Sequence, residues 1–235
     1  MHKNVDIQTV YAKLITIFEV DGWWPAESPF EIMIGAILTQ QTMWENVEKT
    51  IKELKNRGLL SVDSLVNIDQ KELENIIRPV GFYRLKAKRI KALALHLRNY
   101  YDSNPMGVLQ KALPEARGEL MSIDGIGKET ADAILLFAGR KPTFVAAKYC
   151  ARVFMRLGLV EKDDYDYVKQ FVEERMPKNP RVYAELYSLL VQLSKTYCRK
   201  NPSCNSCPLS DECAFSLSGG ISGYLSQKKR LERPL

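Results

Sequence analysis

The chain has 235 residues, 46% of them hydrophobic and 26% charged, enough to bury a real core as one large domain or two small ones sharing a cleft. No run approaches the roughly 18 uncharged apolar residues of a membrane span. The opening "MHKNVDIQTVYAKLI" lacks the basic-then-apolar layout of a secretion signal, so a soluble, cytoplasmic chain is the expectation. Lys and Arg (34) exceed Asp and Glu (28) by six. That balance suits a polyanionic partner, although a solvated basic surface meets it equally well.

Helical periodicity runs almost everywhere, with no alternating strand, so the fold is predicted to be all-α. A first helix is expected at about 6–19. In "SPFEIMIGAILTQ", Ser28 serves as N-cap, Pro29 as first helical residue and Glu31 as the closing member of a capping box, which opens a central helix at about 29–39. "TMWENVEKTIKEL" repeats the grammar, with Thr42 capping, Glu45 three residues on, and Val47, Ile51 and Leu54 on one face. Further helices are predicted at about 70–78, 83–101, 114–123, 128–138, 146–157, 164–175 and 181–197, broken by "RPVG", "NP", "DGIG", "GRKP" and "KNP".

The most informative stretch is "LPEARGELMSIDGIGKETADAILLFA". Pro114 can begin a helix that ends near Ile123, "DGIG" turns the chain, and a second helix carries Ala131, Ile134, Leu135 and Ala138 on one face. Gly125 and Gly127 allow close backbone approach, and the turn offers main-chain N–H groups at a helix N-terminus with Lys128 beside them, a sound phosphate site. A bare G-x-G between helices also fits a corner with no ligand.

Four of the five cysteines, Cys198, Cys204, Cys207 and Cys213, fall within sixteen residues as C-x5-C-x2-C-x5-C. Four thiolates suit tetrahedral zinc or a [4Fe–4S] cluster, and two disulfides fit an intracellular chain poorly. Cys150 stands apart as a small core residue.

The pattern apolar-x-x-G-I-G-K-x-T-A-x-x-I resembles the helix-hairpin-helix motif of DNA glycosylases, and the resemblance to the endonuclease III superfamily runs from about residue 20 to 213. It implies two α domains, 22–136 with the hairpin at about 114–138, and 1–21 plus 137–235. It also implies a monomer that binds damaged double-stranded DNA near the nucleoid. The family's C-terminal loop, C-x6-C-x2-C-x5-C, holds [4Fe–4S]; the first interval here is one residue shorter, and the implied role is to shape a basic loop with Arg199 and Lys200.

Within the same resemblance, "IGAILTQQTMWENVEKTI" puts the glutamine that fills the void left by a flipped base at Gln40, assisted by Gln41. "GFYRLKAKRIKAL" puts a wedging residue at Phe82, followed by a basic face of Lys86, Lys88, Arg89 and Lys91. A core aromatic is the other reading of Phe82. Bifunctional relatives carry a lysine two residues after the second hairpin glycine, where this chain has Glu129. Lys128 is one residue early and so about 100° around the helix, which implies a monofunctional enzyme.

"GIGKETADAIL" and "FVAAKY" are most similar to the 3-methyladenine DNA glycosylase branch, whose substrates are cationic alkylated purines. That branch implies a stacking pocket with Trp23, Trp24, Trp44 and Phe82 as candidates, each tryptophan fitting a core position as well, with Lys148 lining the pocket and Glu129 as a base-contacting or dipole-matching acid. The family's V-D-K-Y places the catalytic aspartate at Ala147. Three origins fit that alanine: an engineered change that traps uncleaved DNA, a natural lesion-binding protein without chemistry, or a relative whose labile substrate tolerates the loss. Glycosylases for oxidised pyrimidines or mismatches are the alternative enzyme reading, and a non-catalytic lesion-binding protein is the alternative from another class.

Overall fold

The computed structural model describes residues 5–20 and 24–219, and among these the regular structure is helical without a strand. No helix of the described residues is long and apolar enough to cross a membrane. Trp23 and the tail "SGYLSQKKRLERPL" lie wholly or mostly outside the described residues. The chain divides into two compact units, Trp24–Thr143 and the residues on either side of it. The division expected at 136/137 falls inside a helix; the observed one follows Thr143, whose hydroxyl donates to the buried Asp132 at 2.8 Å and so ties this residue to the hairpin unit.

The first helix, α1 (Ile7–Ile15), belongs with the C-terminal part of the chain and is treated with it below. The unit 24–143 is built around α2 (Pro29–Leu38), in which every residue from Phe30 on is buried. Ser28 Oγ accepts from the Glu31 N–H at 3.2 Å as the sequence suggests, while the Glu31 carboxylate reaches back to the Glu27 N–H (2.9 Å) and pairs with Lys55 (2.9 Å). Against α2 pack α3 (Trp44–Asn56) and the long α6 (Tyr83–Tyr101); α4 (Val62–Asn67) and α5 (Gln70–Ile76) lie between them in sequence and pack on α6. The cap of α3 departs from expectation. Met43 is the N-cap and makes no side-chain bond, because Thr42 is spent on a tight corner in which its N–H donates to Thr39 O.

After α7 (Met106–Leu109), α8 (Leu113–Ser122) and α9 (Lys128–Ala133) form the glycine hairpin. Asp132 is fully buried and receives both Arg117 Nε (2.9 Å) and Arg117 Nη2 (3.0 Å), a bidentate pair that locks the two hairpin helices together. The predicted helix 128–138 is not uniformly α. Ile134–Ala138 is a π segment closed by the Gly139 N–H on Ile134 O, and the whole segment is buried.

In the other unit, α1 packs on α11 (Tyr165–Arg175) and α12 (Pro180–Thr196), with Tyr11 Oη donating to Glu185 at 2.5 Å. A strongly amphipathic α10 (Lys148–Leu157) packs Val153 and Phe154 inward, and the cysteine loop that follows α12 ends in α13 (Ala214–Leu217). The helices missed by periodicity, α4, α7 and α13, are six residues or shorter, too few turns to show a stripe.

One polar cluster gives the hairpin unit a pH signature. Glu119 accepts from Tyr101 (2.5 Å) and His96 (2.8 Å) and pairs with Lys111 (2.9 Å). Burial pushes this carboxyl up, but the hydrogen bonds from Tyr101, Lys111 and His96 outweigh it and hold the group at about 2. A depressed carboxyl contributes stability above its unfolded value and loses it as pH falls through the folded one. Wild-type stability should therefore decline more steeply than that of Glu119→Gln between about pH 4.5 and about pH 2. At neutral pH the variant should be less stable by about 1–3 kcal/mol. Denaturant titrations across that range check this, and superimposable pH profiles would contradict it.

Candidate functional site

Three turns of the hairpin unit carry the residues singled out for DNA. The first follows α2. Gln41 is exposed and left-handed (φ 52), and Met43 beside it is 67% exposed. Gln40 is not the exposed member. Its amide donates to Thr130 Oγ1 at 2.8 Å, and its carbonyl accepts from Arg89 Nη1, so both ends are engaged inside the unit. The second turn precedes α6, where Phe82 is also left-handed (φ 46) and 64% exposed, which removes the core-aromatic reading. Exposed left-handed residues other than glycine are strained conformations that persist only where surrounding contacts fix them.

The third turn is the hairpin. Ile123 and Ile126 are buried beneath it, while Lys128 and Glu129 stand exposed in the first turn of α9. Its N-cap, Gly127, has no side chain, so the leading amides of α9 receive no side-chain cap. Gly125 is left-handed (φ 81), and a Cβ there would lie 2.2 Å from the Arg89 side chain, so glycine is required on both counts.

The basic face expected on α6 is mostly turned inward. Lys86 is 1% exposed, and its ammonium donates to Leu38 O and Val80 O at 2.8 Å each, which corrects its assignment as a DNA-contacting residue. Burial, followed by the nearby Arg89 charge, lowers its titration to about 8. Lys91 Nζ donates to Val66 O at 3.0 Å and also to Ile68 O, at the end of α4. Arg89 reaches Gln40 and lies against Gly125, and its buried Nε has no acceptor. Lys88 alone of the four is exposed. The reason is helical spacing: a 19-residue helix packed along its length must bury one side, and these lysines reach main-chain carbonyls from it.

A cavity of about 270 Å³ opens in the same unit, lined by Trp24 and Trp44 together with the charged Glu27, Glu31, Glu48, Lys52 and Lys55. The rings of Trp24 and Trp44 meet edge to face at 5.3 Å, and Trp24 lies over Gly35, where a Cβ would come within 3.0 Å of the indole. The sequence marks neither Glu27 nor Glu31 as a site residue, Glu31 entering only as a capping-box member; its signal in sequence is its place inside the apolar run "PFEIMIGAIL".

In the other unit, Ala147 is 1% exposed and is the N-cap of α10, with no side-chain bond to the helix amides; Ala146 is buried beside it, and Lys148 is exposed at the first helical position. The far end of α10 serves the cysteine loop. Arg152 Nε donates to Cys198 O (3.0 Å), and Arg156 Nη1 to Cys198 Sγ (3.3 Å) and Arg199 O (2.6 Å), while Arg156 O accepts from Cys213 Sγ (3.2 Å). Burial raises the Cys207 and Cys213 thiols, and the charge of neighbouring loop cysteines raises them further, so the four sulfurs lie within electrostatic reach of one another. Among the described residues no three His, Cys, Asp or Glu side chains are gathered tightly enough for a single metal ion. The donor set itself, four thiols on one loop with a guanidinium on one sulfur, fits a group bound through thiolates.

Known proteins place this architecture. A Methanocaldococcus jannaschii protein with a provisional assignment as a DNA repair glycosylase is 42% identical over 209 residues, covering 88% of this chain and 95% of that protein. Endonuclease III of Thermotoga maritima is 26% identical over 188 residues, covering 80% and 83%. Among solved structures, H. pylori 3-methyladenine DNA glycosylase bound to 1,N6-ethenoadenine matches with a TM-score of 0.72 at 29% identity, covering 81% of this chain and 98% of that one. An endonuclease III in non-covalent complex with DNA matches with a TM-score of 0.77 at 25% identity, covering 99% and 100%. The family model for HhH-GPD superfamily base excision DNA repair proteins matches residues 34–178, more than half of the sequence and inclusive of all three turns and of Ala147. The chain belongs to the HhH-GPD superfamily of base excision DNA repair proteins.

Proposed function

We propose that the chain is a monofunctional DNA glycosylase for flipped alkylated purines of the 3-methyladenine type, impaired in bond cleavage by the alanine at 147. The observation that carries the DNA reading is that the exposed Gln41, the exposed Phe82 and the glycine hairpin are backed by one helix, α6. Phe82 enters the base stack as a wedge, Gln41 rather than Gln40 fills the vacated space, and the hairpin amides hold a phosphate with Lys128.

The purine assignment rests on the aromatic cavity and on the similarity to the 3-methyladenine glycosylase. An alkylated purine carries positive charge, which the rings of Trp24 and Trp44 would attract. Lys148 stands exposed next to Ala147 at the start of α10, in the other unit. Such a base is already a good leaving group and needs little proton assistance. The sugar cation that forms as it departs still needs a nearby negative charge and an oriented water. The methyl group of Ala147 supplies neither.

The two buried acids among the described residues, Asp132 and Glu31, are already paired within the hairpin unit. Asp132 is held by Arg117 and Thr143, and Glu31 by Lys55. Glu129 stands where bifunctional relatives have an amine, so no Schiff base forms there, and its charge matches the N-terminal end of α9. The similarity to endonuclease III supports a second reading, excision of oxidised pyrimidines or mismatched bases by the same frame.

In the cysteine loop, Cys198, Cys204, Cys207 and Cys213 hold a [4Fe–4S] cluster in this reading. The cluster supplies a rigid inorganic node that shapes the loop. Arg156 donates to Cys198, and Arg199 and Lys200 present charge beside it.

Base release from methylated duplex DNA should be at or near background for this chain and rise by at least about 100-fold in Ala147→Asp, the scale of a restored acid–base group. Neither form should give a borohydride-trapped DNA adduct. Release of oxidised pyrimidines instead of methylated purines would favour the second reading, and no release from any substrate by Ala147→Asp would contradict the glycosylase assignment. Metal analysis of the purified chain should find iron and sulfide with broad visible absorbance, both lost in Cys207→Ala; a colourless chain containing zinc would contradict the cluster.

A further inference from the structure

Lys86 is buried to 1% exposure, and no carboxylate among the described residues pairs with it. An aliphatic residue of the same length would fill the space without the cost of desolvating a cation, so the ammonium is retained for what it holds. It holds two carbonyls at 2.8 Å each. Leu38 O belongs to the last residue of α2, where helical carbonyls lack partners and a cation is favoured. Val80 O ends a 3-10 turn, Arg78–Val80, from another part of the chain.

Each carbonyl sits at the root of an exposed, left-handed corner. Gln41 (φ 52) comes three residues after Leu38, and Phe82 (φ 46) two residues after Val80. Neither corner has a glycine at the strained position, so both conformations must be imposed by neighbouring contacts. One ammonium bound to both roots imposes them together.

We propose that Lys86 is a positioning residue for lesion search, tying the Leu38 and Val80 carbonyls so that Gln41 and Phe82 are held at a fixed separation and attitude. This rests on the DNA-reading function above. A side chain that wedges and one that fills must act on the same base step, and a change in their spacing spoils both while leaving phosphate contacts intact. Lys88, exposed on the same helix, provides the contrast, since a lysine that meets phosphate contributes equally to damaged and undamaged DNA.

The test is fluorescence anisotropy with the full chain at one fixed salt concentration. The two probes are a duplex carrying a single tetrahydrofuran abasic-site analogue and the same duplex fully paired. Binding alone is read, so the alanine at 147 does not interfere. Wild type should prefer the abasic duplex. Lys86→Met should reduce that preference by about tenfold, with affinity for the paired duplex within about twofold of wild type. Lys88→Met should weaken both duplexes in the same proportion.

Because Lys86→Met leaves two carbonyls without a donor and can fail to fold, Lys86→Gln, whose amide can reach one of them, is measured alongside and should fall between. Folded variants that keep the wild-type preference overturn the proposal, as do variants that lose both affinities in proportion. A wild-type chain without any preference overturns the DNA-reading function itself, and the positioning role with it.

Discussion

The hairpin unit depends on buried cations that satisfy main-chain carbonyls. α6 sends Lys86 to the end of α2 and to the 3-10 turn before Phe82, and Lys91 to the end of α4. Helix C-termini present carbonyls that no residue of their own helix can bond, and a compact packing of short helices has many such ends pointing inward. A long helix with lysines on its buried side answers several of them at once. Arg89, from the same side, fastens Gln40 and lies beneath the glycine hairpin. The three turns are thereby joined through one rigid element instead of resting on their own loops.

This arrangement separates residues that hold the frame from residues that face solvent. Gln40 and Thr130 close a bond between the α2 corner and the start of α9, while Gln41 faces solvent. Lys86 and Lys91 hold carbonyls, while Lys88 faces solvent. In each pair the member engaged inside the unit neighbours the exposed one in sequence. The strain at Gln41 and Phe82 is consistent with this, because a left-handed residue with a side chain needs rigid neighbours, and α6 supplies them.

The all-α class, the course of the larger helices and the glycine hairpin were legible because they depend on local chemistry: Ser28 and Pro29 open α2, and Gly125 has to be glycine. What was not legible depended on tertiary neighbours. Thr42 has the chemistry of a cap, but the corner at Thr39 uses it first, so Met43 takes the position. Lys86 has the composition of a surface residue, and only the two carbonyls beneath α6 explain its burial. Gln40 and Gln41 are adjacent and identical in type; the partner at Thr130, 90 residues away in sequence, distinguishes them. The π segment at Ile134–Ala138 likewise leaves no mark in a periodicity that reads as ordinary helix.

The alanine at 147 sits where α10 would otherwise be capped, in a unit whose α10 also supports the cysteine loop through Arg152 and Arg156. In the proposed reading, a chain with these three turns and no carboxylate at 147 holds an intact lesion. The most direct measurement is a crystal structure of the chain bound to a duplex containing one alkylated purine. Gln41 and Phe82 within the base stack, hairpin amides on a phosphate, and Gln40 still bonded to Thr130 is the expected result. Gln40 released into the duplex, or DNA lying away from these three turns, would contradict it.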